Sequence, residues 1–232
     1  MSESNYDVII AGASFAGLAV ARRIKNGKVL LIDSKPIGTD LKSACGVPFF
    51  MLSELELEDC VKQIHRKIVL HTSRGNLVYN LATPFCVIDG EKFCQKLFEK
   101  GKAEFLKASV LGFDGQILKT DKGDFQAKIL VDASGPNSVL AGSKNKDCSF
   151  GLETVVPYQD DGLHFWYEPK IFPKGIFWLF PQGKTSRVGI GSYRGETNLL
   201  SLLDEFLSRF GLKRGVVHGG YFPHCLDRKS VV

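Results

Sequence analysis

The chain has 232 residues, of which 44% are hydrophobic and 24% charged, an ordinary composition for a globular protein. Its length suffices for one large domain or two small interleaved ones. The formal net charge of +5 is spread along the sequence without a run of five like charges, which disfavours a nucleic-acid partner. The mild basicity suits an anionic ligand such as pyrophosphate, or an anionic membrane surface.

The cysteines and the hydropathy pattern indicate a cytoplasmic protein. None of the six cysteines forms a CxxC pair, and a chain of this size does not need disulfide bonds to fold, so we expect reduced thiols. The N-terminus shows no secretory signal pattern, and no apolar stretch reaches the ~18 residues of a membrane span. These features are also compatible with peripheral binding to a membrane surface.

The first forty residues have the pattern of a βαβ unit. An apolar run from Tyr6 to Ala11 is followed by GASFAG at 12–17, by a helical stretch that we expect to stop at Gly27, and by the apolar run KVLLID, which ends at Asp33. Strand, glycine turn, helix and strand within about 30 residues are typical of a dinucleotide-binding unit.

Each position of this unit has a predicted role. Gly12 permits the tight turn out of the strand, and Gly17 lets the helix pack closely, whereas Ser14 stands where the usual motif has its middle glycine. The helix N-terminus offers N–H groups to a pyrophosphate, and the carboxylate of Asp33 can accept hydrogen bonds from the adenosine ribose. The predicted residues are Gly12, Ala13, Ser14, Phe15, Ala16, Gly17, Asp33 and Ser34.

The rest of the chain favours FAD over NAD as the dinucleotide. An NAD dehydrogenase would continue with βα repeats, whereas this chain turns to β-rich segments at 67–81 and 103–135. The second of these predicts a strand, a turn near Asp114–Gly115, a second strand, a turn near Lys122–Gly123 and a buried strand ending at Asp132. A β-meander inserted in a Rossmann domain is typical of large FAD-binding proteins.

The sequence resembles the geranylgeranyl reductase family, a branch of the p-hydroxybenzoate-hydroxylase-like flavoproteins. The segment 87–101 resembles a family helix that opens with arginine, where Gly90 stands here, and LVDASGPNS at 130–138 resembles a second flavin segment, with Ser134 in place of its aspartate. The KSACGVP segment resembles the family's CG segment beside the flavin, which makes Cys45 a weak catalytic candidate. The resemblance implies that FAD contacts Cys45, Gly46, Asp132, Gly135 and Ser138.

The segment PKGIFWLFP at 173–181 is similar to the family's PxxYxWxFP substrate motif, with Pro173 matching and Ile176 in the tyrosine position. Alternate residues of a strand share one face, so this face is either an apolar wall for an isoprenoid or ordinary core. The resemblance implies that the substrate contacts Ile176, Trp178, Phe180 and Pro181.

A helix is predicted after this strand pair, within residues 198–211. Asn198 is the expected N-cap and Gly211 the expected residue after the helix. One stripe is apolar, and we expect it to pack into the core rather than against a membrane. The stripe consists of Leu199, Leu203, Phe206, Leu207 and Phe210.

Other chemistries find no support in the sequence. The five histidines show no metal-ligand spacing, so we expect no metal, and P-loop, GxSxG and HExxH motifs are missing. The sequence stops at residue 232, after the short apolar run Ser230–Val232, where the family continues into a GDAAG-type flavin segment. We therefore expect either a truncated product of a longer gene or a partner chain that completes the site.

The resulting prediction is an α/β fold, a Rossmann-like FAD/NAD(P)-binding domain with an inserted antiparallel β substrate domain. We expect the FAD domain to comprise residues 1–66, 84–148 and 220–232, and the substrate sheet 67–83 and 149–219. The predicted function is FAD-dependent reduction of C=C bonds in an isoprenoid lipid. The alternatives are an FAD-dependent NAD(P)H monooxygenase of the same fold and a non-catalytic fragment that binds ADP or a dinucleotide.

Overall fold

A computed structural model of the chain describes residues 5–136, 138–140 and 148–224. The helices are α1 (Phe15–Arg23), α2 (Phe49–Leu55), α3 (Gly90–Glu99) and α4 (Leu200–Ser208). The strands are β1 (Asn5–Ala11), β2 (Val29–Asp33), β3 (Gly46–Pro48), β4 (Val61–Thr72), β5 (Gly75–Ile88), β6 (Glu104–Lys107), β7 (Val110–Phe113), β8 (Leu118–Thr120), β9 (Gly123–Asp132), β10 (Cys148–Val156), β11 (Leu163–Tyr167), β12 (Gly175–Pro181), β13 (Ser186–Ser192) and β14 (Val217–Pro223).

The described residues divide into two compact units, one within 1–41 and 90–145 and the other within 42–89 and 146–224. This division differs from the expected one, because 42–66 and 84–89 belong to the second unit. The reason is strand pairing: β4 starts at Val61 and pairs with β5 as far as Ile88, and β3 also pairs with β5. Residues 220–223 belong to β14, which pairs with β10 in the second unit.

The first unit is built on a six-stranded sheet with the order β6-β2-β1-β9-β8-β7. The strands β6, β2, β1 and β9 are parallel, while β9, β8 and β7 form an antiparallel meander, as the sequence predicts. The apolar strands β1 and β2 are buried, as in other parallel sheets with covered faces, and Ile9, Leu31 and Ile32 are almost fully buried. The strand ending at Asp132, expected to be buried, is not: in β9 only Leu130 is buried, and Ile129 is 45% exposed. The helix α1 is shorter than predicted, since it ends at Arg23 and Ile24 is already extended.

The second unit is built on an eight-stranded sheet with the order β14-β10-β13-β12-β11-β4-β5-β3. The helix α4 covers one face, where Leu203, Phe206 and Leu207 pack with buried residues of β12 and β13, which confirms the predicted core-packing helix. Its N-cap is Leu199 and not Asn198, because the chain enters the helix one residue later. Gly211 has a φ of +68° and follows the helix as predicted.

The burial pattern of β12 shows which face of this sheet is core. Phe177 and Leu179 are 1% exposed and pack against α4. Their neighbours Ile176, Trp178 and Phe180 point to the opposite face, where they are only half-buried. These three residues, called the Trp178 face below, therefore share a face as predicted, and that face is not the α4 core.

No helix in the described ranges is long and apolar enough to cross a membrane.

Candidate functional site

The glycine turn after β1 is shaped by close backbone contacts. Gly12 has a φ of +107°, and its N–H donates to the carbonyl of Ile32 at 2.7 Å. A Cβ on Gly12 would lie 2.3 Å from the carbonyl oxygen of Ala133, and one on Gly17 would lie 1.8 Å from the carbonyl oxygen of Gly12. Both positions therefore require glycine, as the sequence predicts for the turn and for the close helix packing.

The N-terminus of α1 faces outward from this turn. Ser14 is the N-cap residue with extended backbone, and its carbonyl accepts the first helical hydrogen bond from Leu18 N–H at 3.0 Å. The side chains of Ser14 and Ala16 are exposed. The first N–H groups of a helix have no acceptor within the helix, so the backbone of 15–17 can bind an anion such as pyrophosphate.

Asp33, at the end of β2, is tied directly to the glycine turn. Its Oδ2 accepts a hydrogen bond from Ala13 N–H at 2.8 Å, and its Oδ1 accepts one from Lys35 N–H at 3.0 Å. The N–H of Ala13 is thus engaged with Asp33. Each carboxylate oxygen can accept a further hydrogen bond, so Asp33 can also bind ribose hydroxyls, while Ser34 beside it is exposed.

The loop after β9 is organised by the carboxylate of Asp132. This carboxylate accepts hydrogen bonds from Ser134 N–H at 3.1 Å, Ser134 Oγ and Ser138 Oγ at 2.5 Å each, and Leu140 N–H at 3.0 Å. Burial raises the pKa of Asp132, but these hydrogen bonds outweigh it and hold the pKa below its usual value. Asp132 and Ser138 therefore shape the loop that contains Gly135 (φ +90°).

In the second unit, the indole of Trp178 lies over a row of glycines. A Cβ on Gly189 would lie 2.1 Å from Cζ2 of Trp178, and those on Gly151 and Gly191 would each lie 3.3 Å from the ring. The neighbouring strands β13 and β10 thus leave space for the ring to lie flat on the sheet. The three glycines alternate with apolar residues along their strands, a pattern that is visible in the sequence. The sequence did not show that these glycines make room for the Trp178 ring.

A buried charged pair holds the indole in place. Glu153 is 4% exposed, and its Oε2 accepts a hydrogen bond from Trp178 Nε1–H at 2.9 Å. Its Oε1 accepts one from an Arg187 NH group at 2.7 Å, and His218 Nε2 lies 3.2 Å from the same oxygen. The sequence analysis missed Glu153, Arg187 and His218, because no local motif marks them.

A small cavity lies beside Trp178 and Glu153. Its volume is about 20 Å³, enough for one water molecule. Its lining combines charged and apolar groups and includes Lys42, Ser43, Glu153, Trp178, His218 and Phe222.

The segment around Cys45 reaches the same part of the second unit. Arg187 donates to the carbonyl of Ser43 at 3.2 Å, and the thiol of Cys45 donates to that carbonyl at 3.4 Å. A Cβ on Gly46 would lie 3.9 Å from the Phe180 ring, so the Cys45–Gly46 pair borders the Trp178 face. Burial raises the pKa of the Cys45 thiol, although the charge of Arg187 acts in the opposite direction; Cys45 is therefore a protonated thiol at neutral pH.

Comparisons with known proteins name the family. No family model matches the chain. The digeranylgeranylglycerophospholipid reductase of Methanococcus aeolicus is 30% identical to it over 88% of this chain and 60% of that protein. A geranylgeranyl bacteriochlorophyll reductase-like protein from Thermoplasma acidophilum superimposes with a TM-score of 0.83, at 21% identity, over 96% of this chain and 67% of that one.

The chain belongs to the geranylgeranyl reductase family. The resemblance seen in the sequence is thus confirmed, as is the α/β fold with a Rossmann-like unit. The fold is shared more widely: a myxobacterial FAD-dependent halogenase of chondrochloren has a TM-score of 0.74 at 14% identity, over 99% of this chain and 67% of that one. The chain spans about 60% of the length of the curated reductases that it matches.

Two of this chain's departures from the geranylgeranyl reductase pattern have a visible structural setting. Gly90, where the family has arginine, is the first residue of α3 and is buried. Ile176, in the tyrosine position, is half-buried on the Trp178 face and contributes no hydroxyl group there.

Within the described residues, no cluster of three or more His, Cys, Asp or Glu side chains has the arrangement of a metal site.

Proposed function

We propose that this protein is a flavin-dependent oxidoreductase that reduces C=C bonds of an isoprenoid lipid. The observation that carries the proposal is the Trp178 face, a half-buried apolar surface on the side of the sheet opposite to the α4 core. A surface of this kind suits a flexible apolar chain better than a polar metabolite. The curated relatives, named digeranylgeranylglycerophospholipid reductases, support the same substrate class.

FAD is the flavin that we propose, and the first unit fits its ADP half. A side chain at Gly12 would collide with the backbone of Ala133, so glycine there permits the tight turn from β1 into α1 that a dinucleotide-binding unit requires. The N-terminus of α1 would hold the pyrophosphate through the N–H groups of 15–17, and Asp33 would bind the ribose. Asp132 and Ser138 would support the flavin segment through the loop that they shape.

The residues of the second unit would orient the substrate. When bound, reduced FAD supplies the two electrons of the reduction. The aromatic rings of Trp178 and Phe180 would align the isoprenoid chain and exclude water, while Pro181 ends the strand. The Cys45 thiol, with its raised pKa, would line the site as a protonated group and not as a nucleophilic thiolate.

The site of action forms part of the same proposal. An isoprenoid phospholipid is held in a bilayer, so the protein has to meet its substrate at a membrane surface. We propose that it does so from the cytoplasm.

The direct test is a single-turnover assay. The protein is loaded with FAD, reduced with dithionite without oxygen and mixed with a detergent-dispersed geranylgeranyl phospholipid. We expect flavin reoxidation together with a product heavier by one H₂ per reduced bond in mass spectrometry, and loss of both in Trp178→Ala. Val216→Ser, at a residue 90% exposed, serves as the control.

Two other results would each point to an alternative. Substrate-dependent oxygen uptake with an oxygenated product would favour the monooxygenase, which the shared fold alone does not distinguish from a reductase. Calorimetric binding of ADP without binding of FAD would favour a non-catalytic dinucleotide-binding fragment.

A further inference from the structure

A row of apolar side chains runs across one face of the second sheet, from Trp178 on β12 to Leu77 on β5. Trp178 is paired with Phe165, Phe165 with Leu70, and Leu70 with Leu77. Directly paired residues project from the same face of a sheet, and three strand spacings amount to about 14 Å. The row begins at a half-buried indole and ends at a leucine that is 51% exposed.

The row ends in a hairpin that is open on both faces. This hairpin, residues 67–80, is called the basic hairpin below. Leu77, Val78 and Tyr79 are 51%, 58% and 53% exposed, although successive strand residues point to opposite faces. The strand β3 pairs with β5 only at 85–87, so in the part of the chain that the structure describes no strand covers the outer edge at 76–80.

Residues 61–88, which contain the basic hairpin, carry only positive charges, while carboxylates of neighbouring segments pair with two of them. Residues 61–88 include Lys62, Arg66, Lys67 and Arg74 but neither aspartate nor glutamate. Lys62 lies 3.5 Å from Asp89, and Lys67 lies 3.1 Å from Asp161. Arg66 and Arg74 are exposed, and neither has an ion-pair partner in the described ranges. A cationic surface with exposed apolar side chains is what an anionic bilayer binds.

We propose that the basic hairpin docks the protein on an anionic phospholipid bilayer and that the row from Leu77 to Trp178 guides an isoprenoid chain from the bilayer to the Trp178 face. The second part rests on the proposed function, whereas the docking does not. A second copy of the chain fits this surface less well, because pairing two hairpins brings like charges together. A bilayer instead places anionic headgroups beside the cations and acyl chains beside Leu77, Val78 and Tyr79.

Vesicle co-sedimentation tests the docking. The full chain is mixed with vesicles of phosphatidylcholine alone or with a third of phosphatidylglycerol, and we expect binding to the second only, weakened by salt. Each cation near such a surface contributes about fivefold to binding, so Arg74→Glu lowers the partition coefficient by more than about tenfold. Val78→Ser lowers binding as well, while the controls Lys122→Glu and Leu111→Ser, at exposed positions of the first unit, do not.

Two further measurements separate the parts of the proposal. In Arg74→Glu, we expect the ratio of turnover on vesicle-embedded substrate to turnover on detergent-dispersed substrate to fall. If the natural chain reduces substrate in detergent but does not bind vesicles, the docking is overturned and the proposed function stands. If it binds vesicles but does not reduce substrate, the proposed function is overturned and the docking stands. A change of sedimentation coefficient in Val78→Ser, with unchanged vesicle binding, would identify the hairpin as a subunit interface and overturn the docking.

Discussion

The indole Nε1–H of Trp178 on β12 donates to Oε2 of Glu153 on β10 at 2.9 Å, across the strand β13 that lies between them. The other oxygen of Glu153 is bound to Arg187 at 2.7 Å. The orientation of the apolar ring on the proposed substrate wall thus depends on a buried ion pair. Buried charges are costly unless they are paired and hydrogen-bonded. The stability of the Glu153–Arg187 pair and the position of the Trp178 ring are therefore coupled.

A double-mutant cycle on this pair tests that dependence. Glu153→Gln keeps an acceptor for Trp178 but leaves the Arg187 charge without its partner, and breaking a buried pair costs about 3–5 kcal/mol. We expect Glu153→Gln and Arg187→Gln each to lower the free energy of unfolding in urea, and the double variant to lose less than the sum. Strict additivity would show that the two residues act independently.

The glycine beneath the indole provides a second test. In Gly189→Ala the new Cβ lies 2.1 Å from Trp178 Cζ2 and 2.7 Å from the carbonyl oxygen of Leu152, and such overpacking costs about 1–3 kcal/mol. We expect a lower Tm, a shifted tryptophan emission and a higher KM for the lipid. Gly112→Ala is the matched strand control, because its Cβ would have no neighbour within 4 Å. Equal Tm values for the two variants would contradict the packing.

Local patterns in the sequence were sufficient for the glycine turn and for α4. The turn depends on neighbouring residues from Gly12 to Gly17, and the 3.6-residue stripe of α4 is specific for a helix with one buried face. The period-two pattern of β12 showed which residues share a face. It did not show which face is core, because that depends on where α4 packs.

The parts that sequence analysis missed depend on distant pairing. Glu153 meets Trp178 and Arg187 at separations of 25 and 34 residues, and an isolated glutamate in a strand has no recognisable pattern. The expected boundary near residue 66 was displaced for a similar reason. Pairing of β4 with β5 from Val61 to His65 assigns this segment to the second unit, and hydropathy does not reveal strand partners.

Titration with ADP tests the role proposed for Asp33. Asp33→Asn removes the negative charge, and a hydrogen bond to a charged group contributes about 1.5–3 kcal/mol, so we expect ADP affinity measured by calorimetry to fall at least tenfold. Asp124→Asn, at an exposed position of the same unit, is the control. If both variants bind ADP like the natural chain, the ribose is held elsewhere.

The buried imidazole of His65 predicts a loss of stability in mild acid. His65 is fully buried, and its Nε2–H donates to the carbonyl of Pro181 at 2.9 Å, which leaves Nδ1 buried and without a partner in the described residues. Burial lowers the pKa of His65, partly opposed by the bond to Pro181, and burial also lowers the pKa of His71. Both rings are therefore neutral in the folded protein at pH values where they are protonated in the unfolded chain.

The sign of the pH dependence follows from these two lowered pKa values. Their contribution to stability is complete above the unfolded pKa of about 6.5, and it is lost as the pH falls below that value toward the folded pKa values. We expect the free energy of unfolding in urea to decrease between pH 7 and pH 5. His65→Gln, which can still donate to Pro181, reduces the slope, and adding His71→Gln reduces it further. An unchanged slope in the double variant would assign the acid sensitivity to other groups.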